Sequence, residues 1–149
     1  MRLADFLDRD LVLPELKART KNEVLAELVA ALGGKLPDLD AERTRQVLQE
    51  REHLGTTGIG EGVAIPHGKM EDLQEIVLVV GRSKAGVDFD ALDFKPCTIF
   101  FLVLAPEQVA GTHLRILATI SRLLRDESFR RSFLAAADRD ELWRLLAST

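Results

Sequence analysis

The sequence predicts one α/β domain spanning residues 1–149, a sheet covered by helices on both faces. Three observations lead there. Glu75–Gly81 and Cys97–Ala105 are almost unbroken aliphatic and aromatic runs, the pattern of strands buried on both sides. Segments of helical period lie before and after these runs. No repeat, low-complexity tract or linker rich in Pro, Gly or Ser divides the chain, and 149 residues suffice for one substantial core but not two.

Taken in order, Leu3–Leu7 suits a short helix, and Leu11-Val12-Leu13 before Pro14 a short extended piece. Thr20-Lys-Asn-Glu23 has the form of a capping box. It opens a helix with Val24, Leu25, Leu28, Val29 and Leu32 on one side, stopped by Gly33-Gly34. Asp40 can cap a second helix running to about Glu52, with Val47 and Leu48 as its apolar residues. Val63-Ala64-Ile65 reads as a short strand, and Ala85–Phe89 as a turn or short hairpin after the first long strand. Pro106 closes the second long strand. From Gly111 the period becomes helical, with Leu117, Ile120 and Leu124 on one stripe up to Arg125. Asp126 then caps Glu127–Ala137, and Asp138-Arg-Asp-Glu141 is a second capping box, before Leu142–Leu146.

Composition narrows the function. A net charge of −4 without a basic run argues against nucleic acid as the main partner. One cysteine allows no internal disulfide and suits a reducing compartment. Met1–Asp8 carries acidic residues where a signal peptide needs an apolar run, and no stretch has membrane-spanning length. A cytoplasmic protein without direct membrane insertion is expected.

The densest chemistry lies in Gly55-Thr-Thr-Gly-Ile-Gly-Glu-Gly-Val-Ala-Ile-Pro-His-Gly68. Glycines at 55, 58, 60 and 62 permit positive φ and close approach, and consecutive N–H groups in such turns can form an anion nest. Pro66 stiffens the chain just before His67. A positioned imidazole beside an anion nest suggests phosphoryl chemistry, with Gly58, Gly60, Gly62 and Gly68 as the phosphate-binding loop. Generic nucleotide motifs do not fit. Gly62 to Lys69 is one residue too long for a Walker A loop, with Met70 where Ser or Thr is needed. The Gly58–Gly62 spacing misses the dinucleotide fingerprint, and a strand follows it where that motif needs a helix.

This segment resembles the active-site signature of the mannitol/fructose-type IIA proteins of the bacterial phosphoenolpyruvate-dependent phosphotransferase system, the fructose-specific and nitrogen-regulatory branch above all. The signature is filled by Glu52, then Ile59-Gly60, then Val63-Ala64-Ile65-Pro66-His67-Gly68, with no departure. Phe89–Asp93, Leu104-Ala105-Pro106 and Thr112-His113-Leu114 extend the likeness over nearly the whole chain. The resemblance implies a mixed, mostly parallel sheet and His67 as phosphoryl acceptor. It also implies a second active-site histidine before a Leu-rich helix, and an arginine sixteen positions ahead of the acceptor, which is Arg51.

The other candidates are weighed on position. His53 follows a helix amid charges and reads as solvated surface. His113 falls on the stripe of Leu117, Ile120 and Leu124, and so is either a satisfied core residue or a site residue at a helix N-terminus. Arg51 is i+4 from Val47 and i+3 from Leu48, so its stem covers apolar surface or its guanidinium serves the loop as a phosphate fork. Cys97 reads as a small core residue. The histidines and Cys97 lack metal-ligand spacing, no Gly-x-Ser-x-Gly elbow exists, and no metal or cofactor is expected.

Neutral imidazole is a nucleophile near pH 7, and phosphoryl transfer asks mainly for positioning and charge stabilisation. By resemblance, the histidine-containing phosphocarrier protein donates, and a IIB component of a sugar permease or a regulatory protein receives. The alternative is a regulatory binding module that keeps the fold without transfer. Ile59 and Val109 are expected at the centre of a shared partner patch, with Glu61, Lys69 and Glu107 tuning encounter.

Overall fold

The computed structural model describes the whole chain, Met1–Thr149. Its strands are β1 (Leu7–Leu13), β2 (Gly58–Gly60), β3 (Val63–Ala64), β4 (His67–Met70), β5 (Val77–Val87) and β6 (Cys97–Pro106). Its α-helices are α1 (Lys21–Ala31), α2 (Ala41–Leu54), α3 (Ala110–Arg125), α4 (Glu127–Ala135) and α5 (Arg139–Ala147). The sheet runs β1-β5-β6-β3-β2, and β4 continues beyond β3 along the same side of β6. Pairings β1–β5, β3–β6 and β4–β6 are parallel, whereas β5–β6 and β2–β3 are antiparallel. The mixed, mostly parallel sheet is therefore as expected.

Strand β6 is central because every residue but Thr98 is buried, so it must be covered on both faces. Neighbouring residues show what covers them. Gly81 points at Leu16 and at Leu28 of α1, with no room for a Cβ. The next residue, Arg82, points the opposite way, to the end of α4. Gly68 likewise faces Val47 and Leu48 of α2, while His67 faces α3. Helices α1 and α2 thus cover one face and α3 and α4 the other.

The helix starts follow their caps. Thr20, Asp40, Asp126 and Asp138 side chains accept from Glu23, Arg43, Ser128 and Glu141 N–H, respectively. The two capping boxes differ from the reciprocal form in one respect. Glu23 and Glu141 accept from Arg19 and Ala137 N–H, one residue ahead of each cap.

Several elements depart from the sequence reading: β1 begins at Leu7 rather than Leu11, and Gly58–Gly60 forms the unforeseen strand β2. Ala85-Gly86-Val87 is not a turn but the end of β5, where a register shift absorbs Gly86 at φ +81° as a bulge. His67 does not merely follow a strand; it begins β4. In α3 the buried stripe is His113, Ile116, Ile120 and Leu124, with Leu117 half-buried beside it.

Arg82 is a buried charge without a carboxylate partner. Its Nε donates to Pro14 O at 3.0 Å, and its Nη1 to Phe133 O and Ala136 O at 2.9 and 2.7 Å. It thereby closes the carbonyl end of α4 and ties it to the chain after β1. Arg82→Met should lower unfolding stability by about 2 kcal/mol or more, because buried carbonyls lose their donors. Urea denaturation checks this; a change under about 0.5 kcal/mol would show that the carbonyls find other donors.

Candidate active site

The site lies where the last turn of α2, strand β4 and the first turn of α3 meet. Val103 N–H donates to Pro66 O at 2.9 Å, and the ladder that follows sets His67 opposite Val103. Pro66 lacks an N–H and holds Ile65 extended, so Ile65 O is left to bond within the segment. It lies 2.8 Å from His67 Nδ1.

From the other side Arg51 Nε–H donates to His67 Nε2 at 3.3 Å, while its Nη1 donates to Gly55 O at 2.8 Å. The two bonds assign the tautomer together. Nε2 accepts, so Nδ1 carries the proton and donates to Ile65 O. The nucleophilic lone pair is thus on Nε2, beside a guanidinium.

His113 sits in the first turn of α3, 4% exposed, with its ring 5.9 Å from that of His67 and nearly perpendicular to it. Its Nε2 is buried and makes no hydrogen bond within the protein. Burial is the chief reason that both imidazoles have pKa values below the ordinary 6.5. The hydrogen bond to Ile65 opposes this at His67, and the Arg51 charge adds to it. At His113 the charges of His67 and Lys69 push the same way as burial. Both rings are therefore neutral at pH 7.

Together with Arg43, Val47, Glu50, Leu54, Gly68 and Lys69, these three side chains line an open cleft of about 620 Å³. Arg43, Val47, Glu50, Arg51 and Leu54 recur at helical spacing; the sequence reading used Val47 and Arg51 of this stripe and missed Arg43, Glu50 and Leu54. Lys69 shares the His67 face by strand alternation, visible only once β4 is known.

Gly58, Gly60 and Gly62 are not brought to His67, which corrects the expected phosphate loop. Gly58 pairs with Ala64, itself beside Phe100, and Gly62 O accepts from Thr98 and Ile99 N–H. Counted along β6 from Val103, that is about 10 Å for Gly58 and about 16 Å for Gly62. Their turn already holds an anion of the chain's own. Asp93 accepts from Lys95 and Glu61 N–H at 3.1 Å each, and these bonds hold its carboxyl below the usual range. Only Gly68 of the four lines the cleft.

The two residues expected at the centre of a partner patch do not line the cleft. Ile59 is exposed, but on β2 with the displaced glycines, and Val109 is half-buried against the core. Leu54, 86% exposed on the cleft, and Leu114, 68% exposed beside His113, stand by the histidine pair instead. His53 is exposed, and Cys97 is buried in the core, its thiol raised to about 11 chiefly by burial.

Residues 5–149 match the family described as phosphoenolpyruvate-dependent sugar phosphotransferase system, EIIA 2. The chain belongs to this family. It is 39% identical to the nitrogen regulatory protein of Bradyrhizobium diazoefficiens over 147 residues, covering 99% of this chain and 95% of that one. It is 35% identical to the fructose-specific EIIABC component of Bacillus subtilis, covering 95% of this chain but only 22% of that larger protein. The nitrogen regulatory protein IIA-Ntr of Neisseria meningitidis superposes with a TM-score of 0.90 at 28% identity, covering 97% and 98% of the two chains. The Escherichia coli IIA mannitol structure, at 24% identity and a TM-score of 0.78 over 94% and 98%, shares the fold.

In this EIIA domain the two lowered histidine pKa values set a sign for pH dependence. Each folded value lies below the unfolded 6.5, so the unfolded chain binds more protons in between. Stability from these groups is complete above pH 6.5 and falls as pH drops through the folded values. NMR titration should show both rings with midpoints below 6.5, and melting temperature should decline on acidification from there. A midpoint above 6.5 for either ring would contradict the burial argument.

Proposed function

We propose that this EIIA domain carries a phosphoryl group on His67 Nε2, between a phosphorylated donor protein and a downstream acceptor. The observation that carries the reading is the division of labour on the His67 ring: Nδ1 is fixed by Ile65 O, and Nε2 faces the Arg51 guanidinium within the cleft. On arrival of a donor phosphohistidine, the Nε2 lone pair forms the new N–P bond in line as the donor's P–N bond breaks. The electron pair of that bond returns to the donor ring, and the proton stays on Nδ1, hydrogen-bonded to Ile65 O. The loose transition state spreads charge over the equatorial oxygens. Arg51, which reaches His67 Nε2, and the buried, unpartnered His113 Nε2 would balance it.

The donor is the histidine-containing phosphocarrier protein. The acceptor is a IIB component or a regulatory target. A solved complex of the mannitol IIA enzyme with phosphorylated IIB from Escherichia coli shares this fold and supports the first kind of acceptor. The relatives named nitrogen regulatory protein support the second.

Incubation with phosphorylated carrier protein should give an acid-labile, alkali-stable adduct that maps to His67. Label persisting in His67→Ala would refute the assignment. Arg51→Lys and His113→Ala should keep the fold and slow transfer, by about 10²-fold for a lost transition-state donor. Transfer at the wild-type rate in either variant would remove that residue from the site.

Donor and acceptor must address the same nitrogen in turn, so the shared interface is small, near the low end of about 1,200–2,000 Å². Leu54 and Leu114 form its apolar centre, with Arg43 and Lys69 tuning the encounter. Leu54→Asp or Leu114→Asp should weaken both receiving and giving, whereas Ile59→Asp should spare both. The two rates, measured beside thermal melting, decide between the sites.

A further inference from the structure

We propose that Glu52 is a positioning residue for phosphoryl transfer, acting through Thr57 and Ile65 to fix the tautomer and aim of His67. The inference rests on reading His67 as the acceptor. Glu52 does not line the cleft. It follows Arg51 on the last turn of α2 and so points about 100° away from it, into the base of the β2–β3 hairpin.

There it is 9% exposed and meets three donors. Its Oε1 accepts from Thr57 N–H at 3.0 Å, its Oε2 from the Thr57 hydroxyl, and Lys21 Nζ lies 3.0 Å from Oε1. Lys21 opens α1 and is itself held, 3.6 Å from the Asp90 carboxylate and 4.8 Å from the centre of the Phe89 ring. A buried carboxylate with all these partners is a fixed point in the structure.

From that point a short series of bonds leads to the imidazole. Thr57, 4% exposed, is pinned at both its N–H and its hydroxyl, which fixes the direction of its carbonyl. Thr57 O accepts from Ile65 N–H at 3.0 Å, closing the hairpin at its base. Ile65 O is then the acceptor for His67 Nδ1 at 2.8 Å. Pro66 has no N–H, so its own backbone anchor between Ile65 and the histidine is its carbonyl, held by Val103 N–H.

The two adjacent side chains of α2 therefore hold both ring nitrogens of His67, Arg51 directly and Glu52 at three removes. If Thr57 turns, Ile65 O swings off Nδ1 and the proton is free to move to Nε2, where it blocks the nucleophile. An amide in place of the carboxylate still accepts from Thr57 N–H; loss of the side chain leaves no acceptor.

The test is ¹⁵N NMR of the His67 ring together with phosphorylation by phosphoramidate, a small donor that needs no docking surface. Wild-type protein should show His67 as the Nδ1–H tautomer. Glu52→Ala should populate both tautomers and slow labelling by about tenfold to a hundredfold, the scale of a misplaced reacting group. Glu52→Gln should restore the tautomer and most of the rate.

A folded Glu52→Ala protein with wild-type tautomer and rate would overturn the proposal. So would a Glu52→Gln protein as impaired as Glu52→Ala, which would make charge rather than aim the cause. If Glu52→Ala does not fold, Thr57→Val carries the test, since it removes one of the two bonds that pin Thr57. A mixed tautomer and slower labelling support the proposal there, and wild-type values overturn it. Wild-type protein left unlabelled by both phosphoramidate and phosphorylated carrier would instead count against His67 as acceptor, while the tautomer readings still judge Glu52.

Discussion

The bond from Val103 N–H to Pro66 O begins the parallel ladder between β4 and β6, and fold and site both hang on that ladder. A parallel pair has evenly spaced bonds and tolerates no local slip without turning side chains to the opposite face. With Gly68 packed into Val47 and Leu48, a one-residue shift would drive His67 into α2 and leave a glycine facing α3. Register here decides whether an imidazole reaches the cleft at all. The core supplies the rigidity: β6 is buried nearly end to end and has β5 along its other edge.

The site resolves a conflict between two demands on charge. On the proposed reading, the acceptor imidazole must be neutral, but the group it receives is a dianion. A cation near the histidine suits both ends of the proposed transfer, because Arg51 disfavours the ring proton and would attract the phosphoryl oxygens. Burial works in the same sense on the free ring. The Ile65 carbonyl opposes it, favouring a proton on Nδ1, and that proton is the one the proposed reaction would keep. The neutral ring is thus obtained by repelling a second proton while holding the first in place.

Much of this was legible in the sequence. The two apolar runs gave the central strands, and four side-chain caps marked the helix starts within a residue. Helical position put Arg51 and His113 on the apolar side of their helices but left core and site roles open; the family resemblance singled them out, and the structure sets both beside His67. Other features were hidden for physical reasons. β4 has no alternation to read, since Gly68 has no side chain and the Lys69 head is in water. Gly86 marks a turn by composition, yet a bulge uses the same positive φ within a strand. Glu52 reads as one more charge at a helix end, and only the folded hairpin shows that it is buried.

The glycine turn teaches the sharpest distinction. Gly60, Glu61 and Gly62 all have positive φ, at +104°, +58° and +76°, the backbone that gathers N–H groups around an anion. The sequence argument for a nest was therefore sound in its local geometry and misplaced in its ligand. Asp93 comes from a loop 32 residues later, and its carboxylate accepts from Glu61 N–H. A nest so filled is a structural joint between β2 and the loop before β6. The buried Nε2 of His113 presents the opposite case, a polar atom left without any partner that the chain supplies. Burial without a partner costs stability unless something else provides the bond. A transferred phosphoryl group beside His67 would provide it, so the unfilled position belongs to the cleft and the filled one to the fold.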